Sequence, residues 1–599
     1  MAPPTLQAMD LTALRAVLAE LRPLLVPSRF EKAQQSDAHT LQLGFRSLAG
    51  RPWLELSWLA EAPRLLAIDP PARGGDGSTL AQQLQHGLGG LALVELRQPG
   101  WERVVELGFA PRPGEPIQRT LVVELMGRHS NLFLLDEDRR VVAAARQVRE
   151  RQSRLRPIGT GDAYTPPPAP AGRLPSLGES FEHWQAQLQL LPLTLKRALL
   201  DSYQGVSPAL ALQLAGDRQP EAAALLARPV DSLTPEEWQG LWRRWRAWLS
   251  ALDAEAFAVA AGGATAYRCW PDPDATTAPE RPPTPASPSA ATSAASPAAG
   301  INAFLAAYHR QQLGGRQRRQ RLHSLGQQLG QALERERQQR QQQQSLLDQV
   351  ENSDALQRQA DALLCLAAPN REQIDEAQRL YRRARKLRRS VAAITPRLDQ
   401  HDQRLAQLEA SLTYLDQLGV DLAADPGHDG AELERQLDAL EEECQELLAG
   451  RRGGRRARRA QRSGGEPQPL ELRSGGGLRL QVGRNHRQNE WISLRQARRG
   501  DLWFHAQECP GSHVVLKGSE APAGDADLED AAALAAHFSR ARGNARVAVV
   551  MVPTDELQRI PGAAAGTVRH RGGTVLWAEP GRALALLGAV PSLGRDPEP

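Results

Sequence analysis

Residues 501–517 read DLWFHAQECPGSHVVLK. Two apolar runs, DLWFHA and SHVVLK, flank a Pro-Gly pair, so the stretch predicts a strand, a turn and a second strand. His505, Cys509 and His513 follow one another at intervals of four. On a helix that spacing would gather them on one face, but Pro510 and Gly511 exclude a helix here. A zinc site needs four ligands, and no second ligand pair stands out elsewhere, so neither a metal nor a cofactor is expected. A Cys-His nucleophilic pair would lack an orienting partner and an oxyanion loop. What remains is a hairpin with polar tips beside an arginine-rich neighbour. That combination suits RNA, with tryptophan and histidine able to stack on exposed bases. The ordinary alternative for each histidine is a partner inside a sheet edge.

Working outward, LRLQVGRNHRQNEWISL (478–494) predicts a strand, a polar turn and a strand. DLEDAAALAAHFSRAR predicts a helix, and RVAVVMV and TVLWAE predict strands. Residues 467–585 are therefore expected to form one α/β unit. Before it, 451–466 is dense in arginine and glycine, which fits a flexible linker or a nucleic-acid tether. Residues 301–450 carry long helical periodicity. Ile394, Leu398, Leu405, Leu408, Leu412 and Leu415 alternate by heptad, with His401 filling one slot. Leu322, Leu325, Leu329, Ala332, Leu346 and Val350 form the other arm's seam, and Leu433, Leu437, Leu440, Cys444 and Leu447 resume the pattern. Two arms joined near CLAAPN should pack antiparallel, with Pro396 kinking the returning arm.

Residues 271–299 are Pro, Ala, Ser and Thr almost throughout and predict a disordered linker. Residues 178–262 are helical and rich in tryptophan, with a helical hairpin at LLDSYQGVSPALA. Such a hairpin can present backbone N–H groups to phosphate. Residues 5–170 predict an α/β domain: LTALRAVLAELRPLL is a helix, HTLQLGFRS and RPWLELSWL are paired strands, and RTLVVELMGRHSNLFLLD is two strands around a polar turn.

The chain of 599 residues has room for several domains. No run of about 18 apolar residues suggests a membrane span. The start, MAPPTLQAMDLTALRAVLAEL, lacks a basic region followed by an apolar core, so no export and a cytoplasmic location are expected. Four cysteines (Cys269, Cys365, Cys444, Cys509) give no disulfide framework. Only four of the 73 basic residues are lysine. A GC-rich genome explains that bias; phosphate binding by the arginine fork is compatible with it.

The stretch VGRNHRQNEWISLRQARRGDLWFHAQECPGSHVVLK closely resembles the C-terminal domain of the NFACT family, which includes bacterial RqcH-type ribosome quality-control factors. IPGAAAGTVRHRGGTVLWAEP resembles that domain's closing segment. LVVELMGRHSNLFLLD and RQPGWERVVEL resemble the family's N-terminal domain. The order of parts matches as well: NFACT-N domain, helix-hairpin-helix domain, long antiparallel coiled coil and NFACT-R domain, a multidomain α+β chain.

The resemblance implies a tRNA-delivering scaffold rather than an enzyme. Its partners would be a large ribosomal subunit (rRNA and stalk-base proteins) holding peptidyl-tRNA, an elongator tRNA expected to be tRNA-Ala, and a small S4-like RNA-binding helper. The ribosome would then add a C-terminal alanine tail without mRNA. The family's Asp-Arg pair for tRNA use falls on Glu102 and Arg103, so the acid is one methylene longer here. Asp10, Arg128 and His129 complete the implied tRNA set. In the C-terminal domain the implied RNA contacts are Arg484, Asn485, Arg487, Trp503, His505, Ser512, His513 and Lys517. At the coiled-coil tip they are Arg382, Arg383, Arg385 and Lys386, with Arg388 and Arg389 beside them. The family's basic residues in LAQQLQHGLGG are replaced by Gln83 and Gln85, and most of its insert between the arms is missing. Three rivals stand against this expectation: a fibronectin-binding adhesin, as bacterial members were long labelled, a ribosome- and tRNA-binding sensor without tailing activity, and a hydrolase or nuclease.

Overall fold

The computed structural model describes residues 6–48, 50–71, 78–263, 265–274, 300–366, 370–424, 430–449, 467–560 and 566–588. The expected arginine-rich linker 451–466 and most of the expected linker 271–299 lie outside these residues. The chain divides into two compact units, Met1–Leu313 and Gly314–Pro599.

In the first unit, helix α1 (Leu11–Leu25) is followed by strands β1 (Ser28–Asp37), β2 (Thr40–Arg46), β3 (Trp53–Ser57) and β4 (Arg64–Ile68). Helix α2 (Thr79–Leu88) precedes β5 (Ala92–Arg97), β6 (Val104–Ala110), β7 (Arg119–Glu124), β8 (Asn131–Leu135) and β9 (Val141–Ala144). The nine strands form one sheet in the order β4-β3-β2-β1-β5-β6-β7-β8-β9, and each neighbouring pair is antiparallel. Its core is α1. Leu14, Val17, Leu18, Leu21 and Leu25 are buried on residues such as Phe45, Leu56, Leu107, Phe109 and Val123. Strand β6 is buried on both faces. On its outward side Glu106 is held by Arg139 at 2.7 Å and by Arg97, which reconciles a buried carboxylate with an otherwise apolar strand.

The helical region contains α3 (Phe181–Leu188), α4 (Leu195–Ser202), α5 (Pro208–Leu214), α6 (Glu221–Ala227) and α7 (Pro235–Asp253). Thr234 and Glu237 form a capping box that starts α7. The helix then buries Trp238, Leu241, Trp245, Trp248 and Leu249 on one face, against Trp184 and Tyr203. A two-residue hairpin, β10 (Ala260–Ala261) with β11 (Tyr267–Arg268), follows. Residues 271–274, expected to open the disordered linker, belong to the folded unit instead. Asp274 bonds Arg243 and Arg244, and Asp272 bonds Arg268.

Helix α8 (Ile301–Leu364) seals the first core with Ile301, Phe304 and Leu305. In the second unit its remainder pairs with α9 (Arg371–Ala424). The cross-helix pairs Arg337–Glu409, Arg340–Asp402 and Asp354–Arg388 rise along one helix as they fall along the other, so the arms are antiparallel. The polar seam position His401 is satisfied by Glu336 at 2.6 Å. Leu322, Leu325, Leu329, Leu408, Leu415 and Leu418 form the seam core with Leu437, Leu440 and Cys444 of α10 (Gly430–Ala449). Burial pushes the Cys444 thiol up to about 12, so it is a packing group. Helix α9 runs through Pro396 without a break. One detail differs from expectation. Leu346, expected in the seam, is 46% exposed, because glutamine-rich turns precede it and leave no apolar stripe there.

The C-terminal sheet has the order β12-β13-β15-β14-β16-β19. Its strands are β12 (Leu470–Arg473), β13 (Arg479–Gly483), β14 (Leu502–Ala506), β15 (His513–Leu516), β16 (Val547–Pro553) and β19 (Thr574–Ala578), and β17 (Leu557–Arg559) pairs separately with β18 (Val568–His570). NEWISL, expected as a strand, is helical: α11 (His486–Glu490) runs into a wide π turn at Trp491–Arg495. Asn485 caps it, accepting from the Gln488 N–H at 2.8 Å, and that local bond outweighs the β-like apolar alternation. Helix α12 (Asp525–His537) covers the sheet face carrying Val482, Phe504, Val514 and Val549. A short helix α13 (Ala583–Gly588) ends the described chain.

Candidate nucleic-acid interfaces

The β5–β6 turn, QPGWER, and the β7–β8 turn, LMGRHS, lie at the same end of the first sheet, because Leu125 N–H donates to Arg103 O at 2.9 Å. The start of α1 meets them there. Asp10 caps α1, accepting from the Ala13 N–H at 2.9 Å, and its other oxygen accepts from Ser207 Oγ at 2.7 Å. Ser207 itself caps α5. One aspartate thus ties the sheet end to the helical hairpin, an anchoring role for a residue expected to touch tRNA. Gly205 in that hairpin has φ +79°, and a Cβ there would come within 2.7 Å of Trp101. Glycine is therefore required for the hairpin to close on the QPGWER turn.

Trp101 stacks edge-on against Trp248 at 6.0 Å and lies under Arg15 at 4.8 Å. It holds the turn from which Glu102 and Arg103 project. Arg103 Nη1 donates to Met9 O at 3.2 Å, and among the described residues no carboxylate pairs with it. Glu102 Oε1 is buried without a hydrogen-bond partner. Burial raises its carboxyl above the usual range and Arg103 pulls it partly back. Arg128 and His129 are exposed on the neighbouring turn, bonded to each other at 3.0 Å. The structure thus brings Asp10, Glu102 and Arg103 to one sheet end, with Arg128 and His129 on its next turn. Gln85, which stands where the family is basic, has a local structural role: it accepts from Ala33 N–H at 2.8 Å and donates to Glu31 O.

In the second unit, strands β14 and β15 place Trp503, His505 and His513 on the sheet face opposite α12. Trp503 stacks on His505 at 5.6 Å and meets His513 edge-on at 5.1 Å; His570 approaches it at 5.9 Å. His513 is buried. Its Nδ1 lies 2.8 Å from Ser493 Oγ, and its N–H donates to Asn489 Oδ1. Burial lowers the His505 imidazole to about 4 and His513 well below its usual value, so both are neutral at physiological pH. Neutral imidazoles can stack or share hydrogen bonds, but they do not attract phosphate by charge.

The other residues expected here have protein partners. Lys517, expected as an RNA contact, is 3% exposed and donates to Asp501 at 3.0 Å and Gln496 O at 3.2 Å. A buried ammonium beside a buried carboxylate is a core ion pair. Arg484 pairs with Glu432 at 3.3 Å, and Arg487 with Glu446 at 2.5 Å, so both face α10. Asn485 is the α11 cap, and Ser512 is buried with its N–H donated to Phe538 O. Trp577 is 68% exposed on β19, and sequence reading did not single it out. On α9, Arg382, Arg383, Arg385, Lys386 and Arg389 are exposed, whereas Arg388 pairs with Asp354 at 2.7 Å. Among the described residues no group of three or more His, Cys, Asp or Glu is placed to hold a metal ion. No described helix is long and apolar enough to cross a membrane.

The chain aligns with a Streptococcus pneumoniae protein named Rqc2 homolog RqcH at 26% identity over 601 residues, covering 95% of this chain and 97% of that one. A Bacillus subtilis protein of the same name is 30% identical over 204 residues, covering 34% of this chain and 32% of that one. A solved structure of the C-terminal part of the Streptococcus suis fibronectin/fibrinogen-binding protein aligns at 27% identity with TM-score 0.36, covering 45% of this chain and 98% of that one. The NFACT protein RNA binding domain matches residues 473–572, the segment that carries the Trp503–His505–His513 face. The NFACT N-terminal and middle domains match residues 10–372, from the Asp10 cap through the QPGWER turn to the start of α9, and with more than half its length so matched the chain belongs to the NFACT family.

Proposed function

We propose that this chain is a ribosome quality-control factor. It binds a large ribosomal subunit obstructed by peptidyl-tRNA and recruits an elongator tRNA, with tRNA-Ala the expected cargo. The observation that supports this most is one chain carrying both NFACT matches and aligned nearly end to end with a protein named Rqc2 homolog RqcH. In this reading the protein supplies no nucleophile. It positions RNA, the ribosome's own peptidyl-transferase centre makes each bond, and the stalled chain gains a C-terminal alanine tail.

The sheet end around Arg103 is the proposed tRNA contact. A guanidinium with one backbone bond retains donors for a phosphate or a guanine edge. The unpartnered Glu102 oxygen beside it can accept from a base amine. Arg128 and His129 extend that surface, and Asp10 fixes it to the helical hairpin. The exposed basic cluster of α9 is the proposed contact with the ribosomal stalk base, and a small S4-like protein is the expected helper. The site of action is the cytoplasm.

Co-sedimentation of purified protein with large subunits tests this reading. Binding is expected to fall steeply between about 50 and 200 mM salt, since arginine–phosphate contacts release counterions. Absence of binding at low salt would overturn it.

A further inference from the structure

Strand β19 is the edge of the C-terminal sheet. Its register against β16 pairs Ala548 with Trp577 and Val550 with Val575, and β14 pairs His505 with Val550. Reading across the strands, His505, Val550 and Val575 form one row, and Trp577 stands one pleat further along the same face. The side of the sheet that packs on α12 carries the alternate residues instead. Trp577 is 68% exposed and Val575 45%; among the described residues no other tryptophan is so exposed. Tryptophans elsewhere in the chain pack in cores, most of them around Trp184 and Trp245.

The surroundings are basic. Arg569, His570 and Arg571 are exposed on the segment leading into β19. A strand rise of about 3.3 Å per residue puts Arg571 within about 20 Å of Trp577, a reach of a few nucleotides. Glu579, two residues beyond Trp577, is paired with Arg546 at 3.1 Å. An exposed indole on a sheet face, with exposed arginines a few residues before it in the chain, has the composition of a stacking site for unpaired nucleic acid.

We propose that Trp577 is a stacking platform for an unpaired nucleobase of single-stranded RNA, with Arg569 and Arg571 contacting its phosphates. This site rests on the reading of the chain as an RNA-binding factor and adds a location to it: Trp577 lies beyond the segment 473–572 that matches the family's RNA binding domain. The neutral His505 imidazole keeps the adjoining row compatible with a second base.

The test uses the full chain, a fluorescein-labelled eight-nucleotide oligoadenylate, and an abasic strand of the same length. Trp577→Ala is expected to weaken oligoadenylate binding roughly tenfold or more, Trp577→Phe to retain most of it, and the abasic strand to bind both forms equally weakly. Unchanged thermal unfolding of Trp577→Ala would assign the loss to the site. Equal binding by wild type and Trp577→Ala, or equal binding of adenylate and abasic strands by wild type, overturns the platform. So does an absence of oligoadenylate binding by wild type. Self-association lost in Trp577→Ala with RNA binding intact also overturns it, and points to a second copy on this edge. Co-sedimentation with large subunits, measured in parallel, separates these results from failure of the broader reading.

Discussion

At the sheet end of the first unit, Arg103 gives one bond to a backbone carbonyl and the Glu102 oxygen beside it has no partner. In the C-terminal domain the cations implied by family resemblance are already engaged: Lys517 with Asp501, Arg484 with Glu432, Arg487 with Glu446. Among that domain's large apolar side chains Trp577 is the most exposed, and Arg569 and Arg571 are exposed on the segment before it. In the proposed reading, RNA would meet different chemistry in the two regions. The first offers hydrogen-bonding groups, and the second offers an exposed indole together with the arginines Arg569 and Arg571. A basic residue in a motif is a candidate phosphate ligand only if no carboxylate of its own protein has already taken it.

The comparison can be broken most severely at Asp501. It is fully buried and accepts from Lys517, Ser519 and the Arg498 N–H. Asp501→Ala should cost about 3–5 kcal/mol by stranding a buried ammonium, and adding Lys517→Met should recover much of that loss. Urea unfolding of the three proteins measures it. If Asp501→Ala instead leaves stability intact and weakens RNA binding, Lys517 is a ligand after all.

Arg103→Ala should reduce tRNA binding about tenfold or more by removing a charge-assisted contact, while large-subunit binding falls less than threefold. Filter binding and co-sedimentation read the two separately. Equal loss of both would merge the regions that the comparison separates.

Acidification should loosen the C-terminal domain. His505 and His513 are depressed in the fold, so between about pH 6.5 and 4 the unfolded chain takes up protons that the folded domain refuses, and the C-terminal domain loses stability. Asp501 is also depressed: burial opposes this, but bonds from Ser519, Arg498 and Lys517 prevail. Its contribution is lost in the acid limb as well. Glu102 is raised, so its contribution grows as pH falls. Burial also holds His309 of the first unit down to about 3, so that unit loses stability with acid as well, with Glu102 opposing the loss. Hydrogen exchange from pH 7 to 5 should show loosening in both units, and unchanged protection of the second would contradict the account of His505 and His513.

The smallest effect is expected at Arg487. Its pairs with Glu442 and Glu446 are half exposed, so Arg487→Ala should cost under about 1 kcal/mol and alter RNA affinity less than threefold. A larger drop in affinity would mean that RNA displaces those carboxylates.

Much of this was legible in the sequence. Alternation located β2 and β3, apolar runs around a Pro-Gly pair located β14 and β15, and heptads located the arms. Family motifs led to Glu102 and Arg103. NEWISL was misread because its apolar residues alternate like a strand, and only the Asn485 cap reveals the helix. Lys517 looked like a surface cation because its partner Asp501, sixteen residues earlier, is brought to it by a hairpin register that spacing alone does not fix. Trp577 was passed over because period-2 patterning does not say which face of an edge strand is covered. Arg484 and Arg487 face acids on α10, contacts that depend on tertiary packing and have no local signal.

The most direct test of the central claim is mild affinity purification of the protein from its native cell, followed by sequencing of the bound RNA. The account predicts large-subunit rRNA with one dominant tRNA, and loss of the tRNA but not the rRNA in Arg103→Ala. Purification without RNA, or rRNA with no enriched tRNA in the wild-type protein, would contradict it.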